Sequence, residues 1–120
     1  MLKYAEDKML FINILYKNIK RTDLYLSAYC IMDNHFHLLI KTGENPNIVS
    51  KFMQRIGTAF AIEINKRHKR NGHAFQGPYK ANLLKYKKDI KYVLAYIKNN
   101  PVKKGLVKKG KDYPWYKLHG

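Results

Sequence analysis

The sequence predicts an α+β fold with an antiparallel sheet. Three observations lead there: a helical period ahead of two apolar runs joined by Asp33-Asn34, a long amphipathic stretch after Pro46, and a second amphipathic stretch that stops near Pro101. Helix, two strands, helix, strand, helix is an order in which paired strands and helices segregate.

From Asp7 to Lys20, Met9, Leu10, Phe11, Ile12, Leu15, Tyr16 and Ile19 give an irregular helical period. Leu24 to Met32, rich in Leu, Tyr and Ile, reads as a strand. Asp and Asn tolerate positive φ, so Asp33-Asn34 suits a hairpin turn and His35 to Thr42 is the returning strand. Gly43-Glu44-Asn45-Pro46 breaks it. From about Asn47 to His68, Val49, Phe52, Met53, Ile56, Phe60 and Ile64 make one apolar helix face. That helix runs into Lys66, Arg67, His68, Lys69 and Arg70 and stops at Asn71-Gly72. Pro78 to Tyr86 is the third predicted strand. Asp89 can cap a helix that turns Ile90, Val93, Leu94 and Ile97 inward, and Pro101 should end it, since the residue before a proline is pushed out of helical geometry. Val102 to Gly120 reads as basic and mostly irregular. Without repeats or low-complexity linkers, residues 1–120 are expected to form a single domain.

The formal net charge is +16, from 24 Lys and Arg against 8 Asp and Glu. Such a balance repels itself in a compact chain and calls for a polyanionic partner. Nucleic acid fits better than an anionic membrane, which would need a sustained amphipathic anchor; no apolar stretch is long enough to span a bilayer. The single cysteine, Cys30, allows no disulfide within the chain, and Met1 to Asp7 lacks an apolar signal core. The expected setting is the cytoplasm, in association with the nucleoid.

Side chains alternate across a strand, so His35 and His37 share one face, opposite Phe36, Leu38 and Ile40, which are expected to line the core. Two imidazoles on one face can share a divalent ion and leave positions open for substrate oxygens. Two histidines are a weak metal motif, however, and partly exposed histidines beside a turn are the plainer reading of the spacing. The acidic residues are scattered, which argues against the carboxylate cluster of a two-metal nuclease. On the last helix Tyr96 and Asn100 lie one turn apart on the flank of the apolar stripe. There a tyrosine can present its hydroxyl to a wet cleft and Asn100 can offer an amide oxygen to a metal; a boundary tyrosine and a helix-ending asparagine are the plainer alternative.

In this order, MDNHFHLLIKT, HAFQGPYKANLL, YVLAYIKNNPVKKGLV and DYPW resemble the signatures of single-tyrosine HUH transposases, in particular the REP-associated, IS200-like branch. The resemblance runs from about Ser27 to Trp115, and the order and spacing of the motifs make it specific. It implies a ferredoxin-like antiparallel sheet with helices on one face. It implies His35 and His37 as ligands of a divalent metal (Mg2+ or Mn2+), Asn100 as a third ligand where relatives often carry glutamine, Tyr96 as the nucleophile, and Gln76 near DNA. The implied reaction cuts and rejoins single-stranded, hairpin-forming DNA through a covalent 5′-phosphotyrosine. A phenol is a poor nucleophile at neutral pH, and a metal on the scissile phosphate would withdraw charge and orient the phosphorus for in-line attack. Because the covalent link keeps the phosphodiester energy, no ATP site is needed, and the sequence has no phosphate-binding glycine loop.

Two departures from that family stand out. Met1 to Tyr4 is too short for the strand that relatives place before the first helix, and Tyr-Lys-Leu-His-Gly follows Trp115 where serines are expected. A sheet lacking that strand would bare one edge of His35 to Thr42, to be filled by a second copy of the chain, giving a homodimer, or by chain upstream of Met1.

Arg55, Lys66, Arg67, Arg70, Gln76, Lys80, Lys103 and Lys104 are the residues expected to bind DNA, within a wider basic surface that includes Lys108, Lys109 and Lys111. A charge run is ordinarily only a solvated face, but so many of one sign favour phosphate tracking. Tyr79, Tyr86, Tyr113, Trp115 and Tyr116 are candidates to stack unpaired bases, with some of them expected in the core instead. The alternative to an enzyme is a non-catalytic relic that grips hairpin DNA or RNA. A replication initiator or relaxase is disfavoured by the short chain and the YIKNNP segment.

Overall fold

In chain order the elements are α1 (Ala5–Ile19), β1 (Tyr25–Ile31), β2 (Phe36–Lys41), α2 (Asn47–His68), α3 (Lys87–Lys103), a 3-10 turn (Gly110–Asp112) and β3 (Tyr116–Leu118). The structure is a computed structural model and describes residues 2, 4–33, 35–43, 47–68 and 87–120. They belong to two compact units, one of residues 1–25 and 41–78, the other of residues 26–40 and 79–120.

The first unit is built on α1 and α2. On α1 the buried positions Lys8, Phe11, Ile12, Leu15, Asn18 and Ile19 recur every three or four residues. On α2 Phe52, Ile56, Phe60 and Ile64 are buried at a strict four-residue spacing, while Val49 and Met53 stay half-exposed. Phe11 meets Phe60 edge to face, ring centroids 5.4 Å apart. A polar contact also ties the two helices: the His68 ring lies 2.9 Å from the Asp7 carboxylate, which is almost wholly buried. Arg67 donates to the Glu6 carbonyl at 3.3 Å, and Tyr4 stacks on His68.

The second unit holds the sheet, with strand order β2-β1-β3. The Met32 N–H donates to the His35 carbonyl at 2.8 Å, closing the connection from β1 to β2. β1 pairs antiparallel with β3 in the register Ala28–Leu118, Tyr29–Lys117 and Cys30–Tyr116. The His119 N–H extends this pairing to the Ser27 carbonyl at 2.7 Å. Every β1 residue from Leu26 to Ile31 is buried, as a central strand requires. Cys30 is fully buried, and burial pushes its thiol up to about 12.

The expected α+β class and the antiparallel sheet are present, and α2 has the expected limits. Three expectations are corrected. The tail is not irregular: it supplies β3, so β1 lies between the histidine strand and the last strand. Asp89 is not a cap but an acidic residue in the first turn of α3, where it faces the helix dipole favourably. Pro101 does not end α3, which continues to Lys103. Proline lacks an N–H, but near a C-terminus little helix remains to be disturbed. The helix stops at Gly105, whose φ of 76° allows its N–H to reach the Val102 carbonyl and the Leu106 N–H to reach that of Pro101, both at 2.9 Å. This pair of bonds satisfies carbonyls that the last turn leaves open. The strand expected over Pro78–Tyr86 and the stop at Asn71-Gly72 lie outside the described residues. No strand precedes α1 among the described residues.

Candidate active site

Helix α3 covers the sheet face that carries the histidines. Ile97 of α3 joins Cys30, Met32 and Tyr113 in a buried cluster, and Leu39, Val93, Trp115 and Tyr116 pack against it. Leu39 follows His37 by two residues, so it shares the histidine face. Phe36, Leu38 and Ile40, expected to line the core, are half-buried, as is Leu39, which packs against this cluster from the histidine face. The histidine face is therefore apolar at Leu39 and turns polar at His37 and His35.

At that polar end four side chains come together. His35 and His37 are packed edge to face with ring centroids 5.1 Å apart. His37 meets the Tyr96 ring at 5.5 Å, again edge to face. The Asn100 Nδ2 donates to His37 Nε2 at 3.1 Å, which requires the ring proton on Nδ1. Asn100 is 7% exposed and its Oδ1 has no hydrogen-bond partner, an uncommon condition for a buried amide oxygen. Tyr96, one turn earlier, is 47% exposed and sits in a groove of about 220 Å3 lined also by Tyr92, Ala95, Asn99 and Lys103.

Both imidazoles are held below their ordinary range. For His35 the first cause is burial and the second the positive charge of Lys104; for His37 burial leads and His35 follows. At neutral pH the two rings are uncharged, the form that ligates metals. Among the described residues no three His, Cys, Asp or Glu side chains converge on one point. A metal here would draw on His35, His37 and the Asn100 amide oxygen, and complete its shell from solvent or substrate.

Lys103 and Lys104 follow at the end of α3, both exposed. Arg55, Lys66 and Arg67 are exposed on α2, in the other unit, where Lys66 lies 3.7 Å from Glu63. Arg70, Gln76 and Lys80 lie outside the described residues, as do Tyr79 and Tyr86. Tyr113 is not a base-stacking residue: it is buried, its hydroxyl donates to the Ile31 carbonyl at 2.8 Å, and burial first, then Cys30 and Asp33, pushes it up to about 12. Trp115 and Tyr116 are half-buried against the same cluster. Sequence reasoning passed over Tyr92 and Asn99 as groove residues. Their signal was helical spacing, four residues before and three after Tyr96.

Comparison with known proteins places the chain in a family. Residues 2–100 match the family model described as "Transposase IS200 like". A Haemophilus influenzae protein named "Putative REP-associated tyrosine transposase" is 30% identical over an aligned length of 101 residues, with 77% of this chain and 57% of the relative covered. The chain thus spans little more than half the length of that relative. A solved REP-associated tyrosine transposase, bound to a REP hairpin, superposes with a TM-score of 0.83 at 20% identity, covering 96% of this chain and 67% of the other. Among the described residues no helix is long and apolar enough to cross a membrane. With the family model spanning most of its length, the chain belongs to the IS200-like transposases.

Proposed function

We propose that this chain cuts and rejoins single-stranded, hairpin-forming DNA, with Tyr96 as the nucleophile. The observation that carries the reading is the approach of Tyr96 to His37 at 5.5 Å, beside His35 and the buried Asn100. In the proposed step the Tyr96 Oη attacks the scissile phosphorus and forms a phosphotyrosine bond to the 5′ phosphate. The 3′ oxygen leaves and takes up a proton, while the phenol proton passes to solvent in the open groove. Rejoining is the reverse, with an incoming 3′ hydroxyl as the attacking group.

The residues present fit a divalent cation. Two uncharged imidazoles offer nitrogen donors, and the orphaned Oδ1 of Asn100 becomes a third donor if the amide turns over. A divalent ion bound there would polarise the scissile phosphate. His37 and Asn100 orient each other. Tyr96 is positioned by α3, whose Ile97 anchors the helix in the core. Lys103, in the Tyr96 groove, would hold a neighbouring phosphate. All four central residues come from one chain and one unit, so the proposed site needs no side chain from a second copy.

The test is a hairpin oligonucleotide with an unpaired tail, incubated with the protein and Mn2+ or Mg2+ and run on a denaturing gel. The wild type should give a covalent adduct, and Tyr96→Phe none, with hairpin binding kept within a few fold. An adduct that survives in Tyr96→Phe and vanishes in Tyr92→Phe would move the nucleophile to Tyr92. Tight hairpin binding without an adduct from any variant would leave a binding protein rather than an enzyme.

A further inference from the structure

Asn99 lines two grooves. One holds Tyr96; the other, of about 400 Å3, is walled by Lys98, Asn99, Val102, Lys108, Lys109 and Lys111. The second groove forms because the chain turns back against α3 at Gly110, where any Cβ would collide with the Lys98 carbonyl. All four lysines are exposed, and among the described residues none makes an ion pair. Four ammonium groups around one groove, with no carboxylate in its lining, repel one another and favour a polyanion.

We propose that this lysine groove is a second nucleic-acid subsite, which carries the phosphate backbone of the unpaired strand next to the hairpin and leads it past Asn99 to Tyr96. The inference rests on the proposed function and adds a path for the substrate to it. A groove suits a single strand, whereas a duplex stem needs a broader surface. Tyr92, 73% exposed beside the Tyr96 groove, offers a ring on which an unpaired base can stack. Cationic grooves flanked by exposed aromatics are how proteins hold single strands without reading sequence. Contacts of lysine with phosphate fix position along the strand, so this groove would set register and leave sequence choice to other groups.

Lysine acetylation followed by mass spectrometry reads the groove directly in the full chain. Two probes are compared: a DNA hairpin with a short unpaired tail and the same hairpin without it. The tailed probe should slow modification of Lys98, Lys108, Lys109 and Lys111 several-fold, the tailless probe should not, and exposed Lys17 should react equally with both. In binding titrations the triple variant K108Q/K109Q/K111Q should flatten the log–log salt dependence for the tailed probe by about 2, at roughly 0.7 per lost contact. If Tyr96 forms its adduct while the groove lysines stay unprotected and the salt slope is unchanged, the groove proposal is wrong and the nucleophile reading stands. Protection with the expected change of slope, but no adduct, supports the groove and removes the nucleophile reading. Equal protection by the tailless probe overturns the single-strand path. A protein that binds neither probe overturns both readings.

Discussion

In the helical unit His68 meets a carboxylate, Asp7, at 2.9 Å; in the sheet unit His37 meets a neutral amide, Asn100, at 3.1 Å. Both contacts join residues more than sixty positions apart, and both bury most of the partner. Their chemistry differs. Asp7 gives His68 a fixed acceptor at the end of α2, so the imidazole serves to fasten one helix to another. Asn100 brings no charge; burial and then Lys104 lower His35, and burial and then His35 lower His37. Such surroundings keep the imidazoles uncharged, the form that ligates metals. The same residue type is thus a structural tie in one unit and a candidate ligand in the other.

The largest difference should appear in metal binding. His35→Ala or His37→Ala should abolish the heat of Mn2+ binding in calorimetry, while His68→Ala leaves it unchanged. A double variant of His35 and His37 with wild-type affinity would remove the metal site. Asn100→Ala should weaken binding less than either histidine change, since a neutral oxygen holds a cation less firmly.

Stability should reverse the ranking. His68→Ala leaves the buried Asp7 carboxylate without its ring partner and should cost about 1–3 kcal/mol in denaturant unfolding. His37→Ala should cost less, because Asn100 loses only one bond to a half-buried ring. Equal losses would mean that the two contacts are equivalent. The two units should also answer oppositely to the same glycine change. Gly110→Ala forces a Cβ onto the Lys98 carbonyl and should destabilise by about 1–3 kcal/mol. At Gly57, inside α2, nothing lies within 4 Å of an added Cβ, and Gly57→Ala should stabilise by about 0.5–1 kcal/mol.

The smallest effect is on titration. His35 and His37 bind a proton less readily in the fold than in the unfolded chain, whose histidines titrate near about 6.5. Their contribution to stability is therefore fully present above that pH and is lost as pH falls through the lower folded values. Metal binding should decline over the same acidic range, because protons compete for the nitrogens. Asn100→Asp would give His37 a carboxylate like the one beside His68, and its NMR titration should move upward from the wild-type position. No movement would show that the Asn100 contact has little electrostatic influence on the ring.

Much of this was legible locally. The four-residue spacing of Phe52, Ile56, Phe60 and Ile64 gave α2 its limits, and the alternation of His35 and His37 gave their shared face. The resemblance added Tyr96 as their partner, and the fold brings the three together. What escaped was non-local or too short to carry a period. Tyr116 to Leu118 is a strand only because β1 has an open side to receive it, and three residues cannot display alternation. The Asp7 carboxylate reads as an ordinary acidic residue in a first turn until His68 arrives from the far end of another helix. Pro101 looked like a stop because local sterics were weighed without Gly105, whose left-handed conformation sets the actual end. Leu39 rather than Leu38 packs against the buried cluster because α3 covers the histidine face, a choice that alternation alone leaves undecided.

Cys30 offers a practical consequence. It is the only cysteine of the chain, fully enclosed in the central strand, and its thiol is pushed up to about 12. A thiolate is the reactive form, so alkylating reagents should find nothing to attack while β1 stays covered. The protein therefore contains its own opening clock: the rate at which a colorimetric thiol reagent consumes one equivalent reports how often the sheet unit comes apart. A bound hairpin that braces this unit would slow the colour change in proportion to the protection it gives, with no label added to either molecule.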